Sequence, residues 1–292
     1  MSTYNGEKYL RRQLDSIMGQ TYPNINILIR DDGSTDGTLD ILNEYSEKYN
    51  TIKYYQGNNI GVIQSFFELI RNSSEQASYY SFADQDDEWL PEKVEQAVIK
   101  IREKQKNRPF LYCSDTYVTD VDLNILKKEN KNPRPSFGNS LVQNICTGCT
   151  AVMNKKLRNI IKETNPVNIV MHDWWFYMSA ELFGETYYDD NAYIKYRQHG
   201  NNTFGVKINR RDVWKYRIKQ LGEKRGYIYQ QLEELSRCYP KMSEESRLQV
   251  IRVLKSKRGF LNRANLIFTK GIYRNAKMDD LVYRVIVLIG KL

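Results

Sequence analysis

Among 292 residues there are only two histidines, four cysteines and seven prolines, and no apolar run approaches the roughly 18 residues of a membrane-spanning helix. The first residues also lack the basic, apolar and cleavage regions of a secretory signal, so a cytoplasmic protein is expected. The cysteines, Cys113, Cys146, Cys149 and Cys238, make one Cys-x-x-Cys at Cys146-Thr147-Gly148-Cys149. A zinc site would need a second close pair or histidines at finger spacing, and a redox pair would have to open a helix, so the expectation is buried free thiols. No helix-turn-helix, zinc-finger or ribonucleoprotein aromatic motif is present, which argues against a nucleic-acid partner. Neither an internal repeat nor a low-complexity tract is visible.

What is present is a globular composition, 41% hydrophobic and 12% aromatic, on a chain long enough for one large α/β domain and a smaller appendage. The formal charge of +9 is unevenly placed. Of 44 Lys and Arg, 21 follow Phe204, with only 8 of the 35 Asp and Glu, so the tail carries +13 and the first 204 residues −4. A basic tail of this kind meets nucleic acid, anionic lipid or an acidic polymer.

Along the first hundred residues helix and strand patterns alternate. Leu10, Leu14 and Ile17 mark the buried stripe of a helix over about 7–20, and Ile63, Phe66, Phe67 and Ile70 mark another. Strands are predicted near 25–30, 52–55, 79–83 and 110–114. This is the pattern of a mixed, mostly parallel sheet with helices on both faces. Residues 124–138 are rich in Lys, Asn and Pro and read as a mobile loop, either a binding loop or a plain linker. A helix is predicted over 168–183, then strands at Thr186–Tyr188 and Tyr193–Arg197. Beyond Asn201 to Gly205 the texture changes to long basic helical stretches. The expected division is therefore 1–204, with halves 1–100 and 101–204, and 205–292.

Two acidic strand ends carry the chemistry. The apolar run Ile25 to Arg30 stops at Asp31-Asp32-Gly33-Ser34, where Gly33 and Ser34 form a turn and Thr35 or Asp36 can cap the next helix. Tyr79 to Ala83 stops at Asp84-Gln85-Asp86-Asp87, before Trp89-Leu90-Pro91. An Asp-x-Asp at a strand end points hard oxygen ligands into the crevice beyond the sheet, where open α/β folds bind ligands, and such donors favour Mg²⁺ or Mn²⁺. A solvated acidic turn ahead of a helix starting at Pro91 is the bland alternative for that segment alone.

Thr3-Tyr4-Asn5-Gly6, Arg30 to Asp36, Asp84 to Asp87 with Trp89-Leu90-Pro91, Met171-His172-Asp173-Trp174-Trp175 and Tyr196-Arg197-Gln198-His199 resemble, in order, the motifs of the family 2 glycosyltransferases. The two late blocks are most similar to the bacterial rhamnosyltransferase branch, which extends cell-wall and capsular polysaccharides. The resemblance covers about residues 1–205. It implies the GT-A fold and an inverting, metal-dependent transfer of a sugar, L-rhamnose from dTDP-L-rhamnose or a hexose from a UDP-sugar, to a growing polysaccharide or lipid-linked saccharide. A nucleotide-sugar-binding module without turnover is the alternative from another class.

The same resemblance implies roles. Asp86 is the leading metal ligand, with Asp84 near the metal or the ribose, and the cation, Mg²⁺ or Mn²⁺, would neutralise the departing diphosphate. Thr3, Tyr4 and Asp32 fall where the family holds the nucleoside. A tyrosine ring can stack on a pyrimidine and a carboxylate can accept the N3–H that uracil and thymine share, so these groups do not separate dTDP from UDP. Asp173 takes the position of the general base, with a pKa raised if it is buried. Arg197 and His199 are candidates for the diphosphate, His199 also for the metal shell, and Trp174 for the acceptor. His172 is expected to orient its neighbour, and Asp87 to cap a helix or support the ligands.

The tail adds one further expectation. Lys255 to Arg258, Arg263, Lys270, Arg274 and Lys277 precede Leu281 to Ile289, an apolar stretch too short to span a bilayer but suited to lying in the interface of an anionic membrane. Only Met1 and Ser2 stand ahead of Thr3, where the family has a short apolar strand, so the natural start is expected several residues upstream.

Overall fold

Apolar side chains recur along the first hundred residues at alternating helical and strand spacings, and the computed structural model follows them. The structure describes residues 1–199 and 226–292. In chain order these form β1 (Ser2–Thr3), α1 (Glu7–Met18), β2 (Ile27–Asp31), α2 (Thr38–Lys48), β3 (Ile52–Gln56), α3 (Gly61–Asn72), β4 (Tyr79–Ser81), β5 (Glu88–Trp89) and α4 (Lys93–Lys104). The predicted stripe of α1, Leu10, Leu14 and Ile17, is buried, as are Phe66, Phe67 and Ile70 of α3. Asp36 accepts the Thr38 amide from just outside α2, at 3.1 Å.

The next segment is β6 (Phe110–Thr119), β7 (Ile125–Lys128), α5 (Phe137–Ser140), β8 (Val152–Asn154), α6 (Lys155–Lys162), α7 (His172–Phe183) and β9 (Glu185–Arg197). Four helices close the described chain: α8 (Tyr227–Cys238), α9 (Glu244–Lys255), α10 (Phe260–Ile267) and α11 (Lys277–Leu288). The domain boundary expected at residues 204 and 205 lies outside the described residues.

Three parallel strands, β1-β2-β3, form one sheet, with Thr3 opposite Asp31 and Asp31 opposite Gln56. A second sheet runs β4-β8-β6-β9-β5, with β7 on β6. Its spine is the long parallel pair β6 and β9, whereas β4–β8, β6–β8, β5–β9 and β6–β7 are antiparallel. The mixed α/β class holds, and the parallel pairs β1–β2, β2–β3 and β6–β9 join most of the paired residues. The antiparallel members are short: β8 and β5 pair with strands distant in the chain, and only β7 returns on β6 by a local reversal.

Three segments differ from their sequence readings. Residues 125–128 are a strand on β6, tied on by the Glu129 amide to Thr116 O at 2.9 Å, not part of a mobile loop. Its Ile125 and Leu126 are exposed on an edge, so no alternation announces it. The two strands expected after residue 186 are one, β9, whose register against β6 shifts around Asp189 and Ala192. Helix α7 starts at His172, four residues late, because Met171 is still extended.

The larger core packs α3, α6 and α7 against the second sheet and takes in Leu232, Leu235, Val250, Val253, Leu266, Tyr283 and Val287 of the C-terminal helices. Trp175 to Met178 of α7 are all buried, so this helix is apolar on nearly every side and runs through the core. All four cysteines are free thiols, three of them buried. Among the described residues no helix is long and apolar enough to cross a membrane.

Candidate active site

The ends of β1, β2 and β4 meet at one mouth, and the sequence blocks there hold one another in place. Asp31 closes the turn after β2 by accepting the amides of Gly33 and Ser34 at 3.2 and 2.9 Å and the Thr3 hydroxyl at 3.0 Å. Gly33 has φ +84°, which a side chain would strain. Asn5, itself at φ 48°, receives the Thr35 amide on its side chain and gives its own amide to Ser34 Oγ. Gln85 clasps the Tyr4 backbone from both sides, accepting its N–H at 2.8 Å and donating to its carbonyl at 3.0 Å. A Cβ on Gly6 would lie 2.3 Å from the Gln85 side-chain oxygen, so glycine is what lets the two motifs touch.

Asp32 is buried against Arg30 and accepts the amides of Ile60 and Gly61, both at 2.9 Å. It lines a cavity of about 1440 Å³. Of the other predicted residues, Tyr4, Asp84, Asp86, Asp173, Trp174 and His199 line the same cavity. Thr3 and Arg197 do not. The Thr3 side chain is spent on Asp31. Arg197 is buried, donating to the carbonyls of Asp86 (2.7 Å) and Val121 while its guanidinium covers the Tyr9 ring at 4.5 Å. It therefore shapes the loop that carries the carboxylates.

The acidic loop divides its carboxylates between the cavity and the core. Asp86 Oδ2 lies 2.7 Å from His199 Nε2. Asp84 is pushed up to about pKa 7 by burial, with Asp86 and Asp173 adding like charge. Asp87 points inward, accepts the Arg197 amide at 3.1 Å and leaves its other oxygen without a partner. Its pKa is raised well above the ordinary range by burial and then by Asp86 and Asp84. It caps no helix, since α4 begins at Lys93 behind Glu92. The Cys149 sulfur groups with Asp84 and Asp87, ligand atoms within 4.8 Å of one another, and burial raises its thiol pKa, which keeps it protonated. Lys93, buried nearby, donates to Ser81 Oγ at 2.6 Å and sits 3.5 Å over the Trp89 ring. Burial lowers its pKa to about 7.

Across the cavity, Asp173 occupies the first turn of α7, where the helix dipole favours a negative charge. Its Oδ1 accepts Asn144 Nδ2 at 3.0 Å and the Trp174 amide at 2.7 Å. Burial raises its pKa to about 6, and the Trp174 amide, Lys131, the Gly148 amide and Asn144 restrain the rise. A Cβ on Gly148 would lie 3.6 Å from Asp173 Oδ2 and 3.0 Å from His172 Nε2. Lys131 reaches Thr147 Oγ1 at 2.7 Å and Glu129 at 2.9 Å on the same wall. Trp174 gives its indole N–H to Ser140 O at 2.6 Å. His172, stacked 4.1 Å from Phe66, has no hydrogen-bond partner on either nitrogen, and burial holds it neutral. It makes no hydrogen bond to Asp173.

Sequence reading missed Gln85, Lys93, Lys131, Asn144 and Gly148. None belongs to a repeating pattern, and each acquires its role from a partner far along the chain. Spacing alone offered no signal for them except Gln85, which sat inside the acidic run.

Asp84, Asp86 and His199 are the cavity residues that could hold a divalent cation. Asp84 and Asp86 present hard oxygens and His199 a nitrogen, and burial, with like charge from Asp86 and Asp173 after it, raises the Asp84 pKa. A cation would relieve that repulsion.

Comparison with known proteins places this architecture. The sequence model described as glycosyl transferase family 2 matches residues 1–160. The dTDP-rhamnosyl transferase RfbG of Shigella flexneri is 29% identical over 303 residues, covering 99% of each chain. Among solved structures, TarS 1-349 of S. aureus in complex with UDP-GlcNAc superimposes with TM-score 0.59 at 18% identity, over 91% of this chain and 82% of that one. The mannosyltransferase PcManGT of Pyrobaculum calidifontis, in complex with GDP-Man and Mn²⁺, gives 0.52 at 12% identity, over 99% and 85%. These structures share the GT-A fold with the present chain.

Proposed function

The chain belongs to glycosyl transferase family 2, and on that footing we propose that it is an inverting, metal-dependent transferase that moves L-rhamnose from dTDP-L-rhamnose to a growing cell-surface saccharide. The observation that carries the reading is a single cavity lined by Tyr4 and Asp32, by the carboxylates of Asp84 and Asp86 with the His199 imidazole, and by the buried Asp173 of raised pKa. The full-length likeness to a dTDP-rhamnosyl transferase supports the choice of donor.

In this reading Tyr4, half exposed and held by Gln85, offers its ring to the pyrimidine. Asp32, fixed by Arg30 and two amides, offers an acceptor to N3–H. Asp86, Asp84 and His199 would hold Mg²⁺ or Mn²⁺, which supplies charge neutralisation to the departing diphosphate. Asp173 takes the proton of the acceptor hydroxyl as that oxygen attacks the anomeric carbon. Its burial makes it a stronger base than an exposed carboxylate, and Asn144 with the Trp174 amide fixes its direction. The indole of Trp174, anchored on Ser140, gives the acceptor sugar an apolar face.

Calorimetric titration with dTDP tests the assignment. Wild type should bind more tightly with Mn²⁺ than with EDTA, and Asp86→Ala should lose that difference while melting at the same temperature. Equal, metal-independent affinity in both proteins would remove the metal from the account.

A further inference from the structure

Helix α11 is apolar on two opposite sides, and only one of them is accounted for. Tyr283 and Val287 are buried in the core, and Val282 and Ile286 line the cavity. On the outer side Met278, Leu281, Val285 and Ile289, spaced three, four and four residues apart, are each about half exposed, at 49–55%. A surface helix ordinarily turns polar residues outward. The preceding α10 adds the two barest apolar positions, Leu261 at 83% and, just past its end, Phe268 at 81%. The two helices are fastened side by side, since Arg263 donates to Leu288 O at 3.4 Å and Arg284 donates to Ile267 O. These apolar side chains thus belong to one antiparallel hairpin.

The hairpin is framed by positive charge. Residues 256–292 hold eight Lys or Arg and two Asp, with no Glu. Asp280 is already engaged by Arg284 at 2.7 Å. Lys257, Arg258, Lys270 and Lys277 are exposed. A second copy of this chain would bring like charge against like charge, whereas an anionic lipid surface complements both the apolar side chains and their basic frame. At twelve residues α11 is too short to cross a bilayer, so its outer side would lie in the plane of the interface.

We propose that the outer surface of α10 and α11 docks the protein on an anionic membrane. The inner side of α11 would then carry the cavity wall next to that membrane. This corrects the simple view of Leu281 to Ile289 as one interfacial segment, because half of it is committed to the core and cavity. It also rests on the reading of the cavity given above in one respect: a saccharide acceptor anchored in the same membrane through a lipid diphosphate would reach Asp173 along α11.

The test is co-sedimentation of the full chain, without donor, with vesicles of phosphatidylcholine alone or mixed with phosphatidylglycerol. Wild type should partition onto the mixed vesicles and be released as salt is raised. The double variant Phe268→Ser/Leu281→Ser should bind at least about tenfold less, because each change strips a whole apolar side chain from the interface. Its melting temperature and donor turnover should be unchanged. No preference of wild type for anionic vesicles, or equal binding by the variant, would overturn the proposal. So would light scattering that shows a wild-type dimer and a monomeric variant, which would make this surface a contact between copies. Vesicle binding is read without donor, so its failure is distinct from failure of the proposed transfer reaction.

Discussion

Asp173 is held by a side-chain amide and a backbone amide and is largely buried at the cavity wall, and both conditions bear on its use as a base. Asp173→Asn should leave donor affinity intact and lower turnover by about 10²-fold to 10⁴-fold. Collapse of donor affinity with normal turnover of bound donor would make it a binding residue. The carboxylate accepts a proton only when charged, so its raised pKa of about 6 predicts turnover that rises with pH through about 6 and is lost on the acid side. A pH profile flat down to about 4.5 would place the base in the ordinary carboxylate range. The stability effect has the opposite sign. The folded carboxyl holds its proton more tightly than the unfolded one, so its unfavourable contribution is absent below about pH 4 and complete above about pH 6. Relative to wild type, Asp173→Asn should therefore melt higher at pH 8 than at pH 4. At this scale the sequence displayed Asp84, Asp86, Asp173 and His199, because motif order survives in a linear chain. It did not display Asn144, Lys131 or Lys93, whose meaning comes from the side chains they meet after folding.

At the scale of elements, α5 meets the C-terminal region backbone to backbone. A Cβ on Gly138 would lie 2.1 Å from the carbonyl oxygen of Gly271, and a backbone atom cannot swing aside as a side-chain tip can. Gly138→Ala should thus cost about 1–3 kcal/mol, measured by chemical denaturation, and should loosen the region that carries α11. Unchanged stability would mean that the contact gives way cheaply. Helices α1 and α3 were legible because each buries one stripe at a regular period, whereas β1 and β5, two residues each, are too short to show one. Strand β6 runs five residues beyond its apolar start because Ser114, Asp115 and Thr116 are buried with partners that no period reveals, such as Tyr188 Oη on Asp115 at 2.5 Å. The polar Asp189-Asp190-Asn191 interrupted the apolar signal of β9, yet the strand passes through it with only a shift of register.

For the molecule as a whole, the C-terminal helices are part of the body that carries the site. Tyr283 and Val287 lie in the same core as α7, so deleting α11 would expose that core, and point changes on its outer side are the cleaner probe. The split of charge between an acidic first 204 residues and a basic tail was readable from composition. The cavity they share was not, because α11 returns to it from more than a hundred residues beyond Asp173. This cavity is expected to turn over a nucleotide sugar whose sugar is rhamnose. Release of nucleoside diphosphate by the purified chain with Mn²⁺, compared across dTDP-L-rhamnose, UDP-glucose and UDP-GlcNAc in the presence of a saccharide acceptor, tests it most directly. Turnover of dTDP-L-rhamnose should run well above the others and disappear in EDTA. Preference for a UDP-hexose would contradict the donor, and no turnover of any nucleotide sugar would contradict the enzyme.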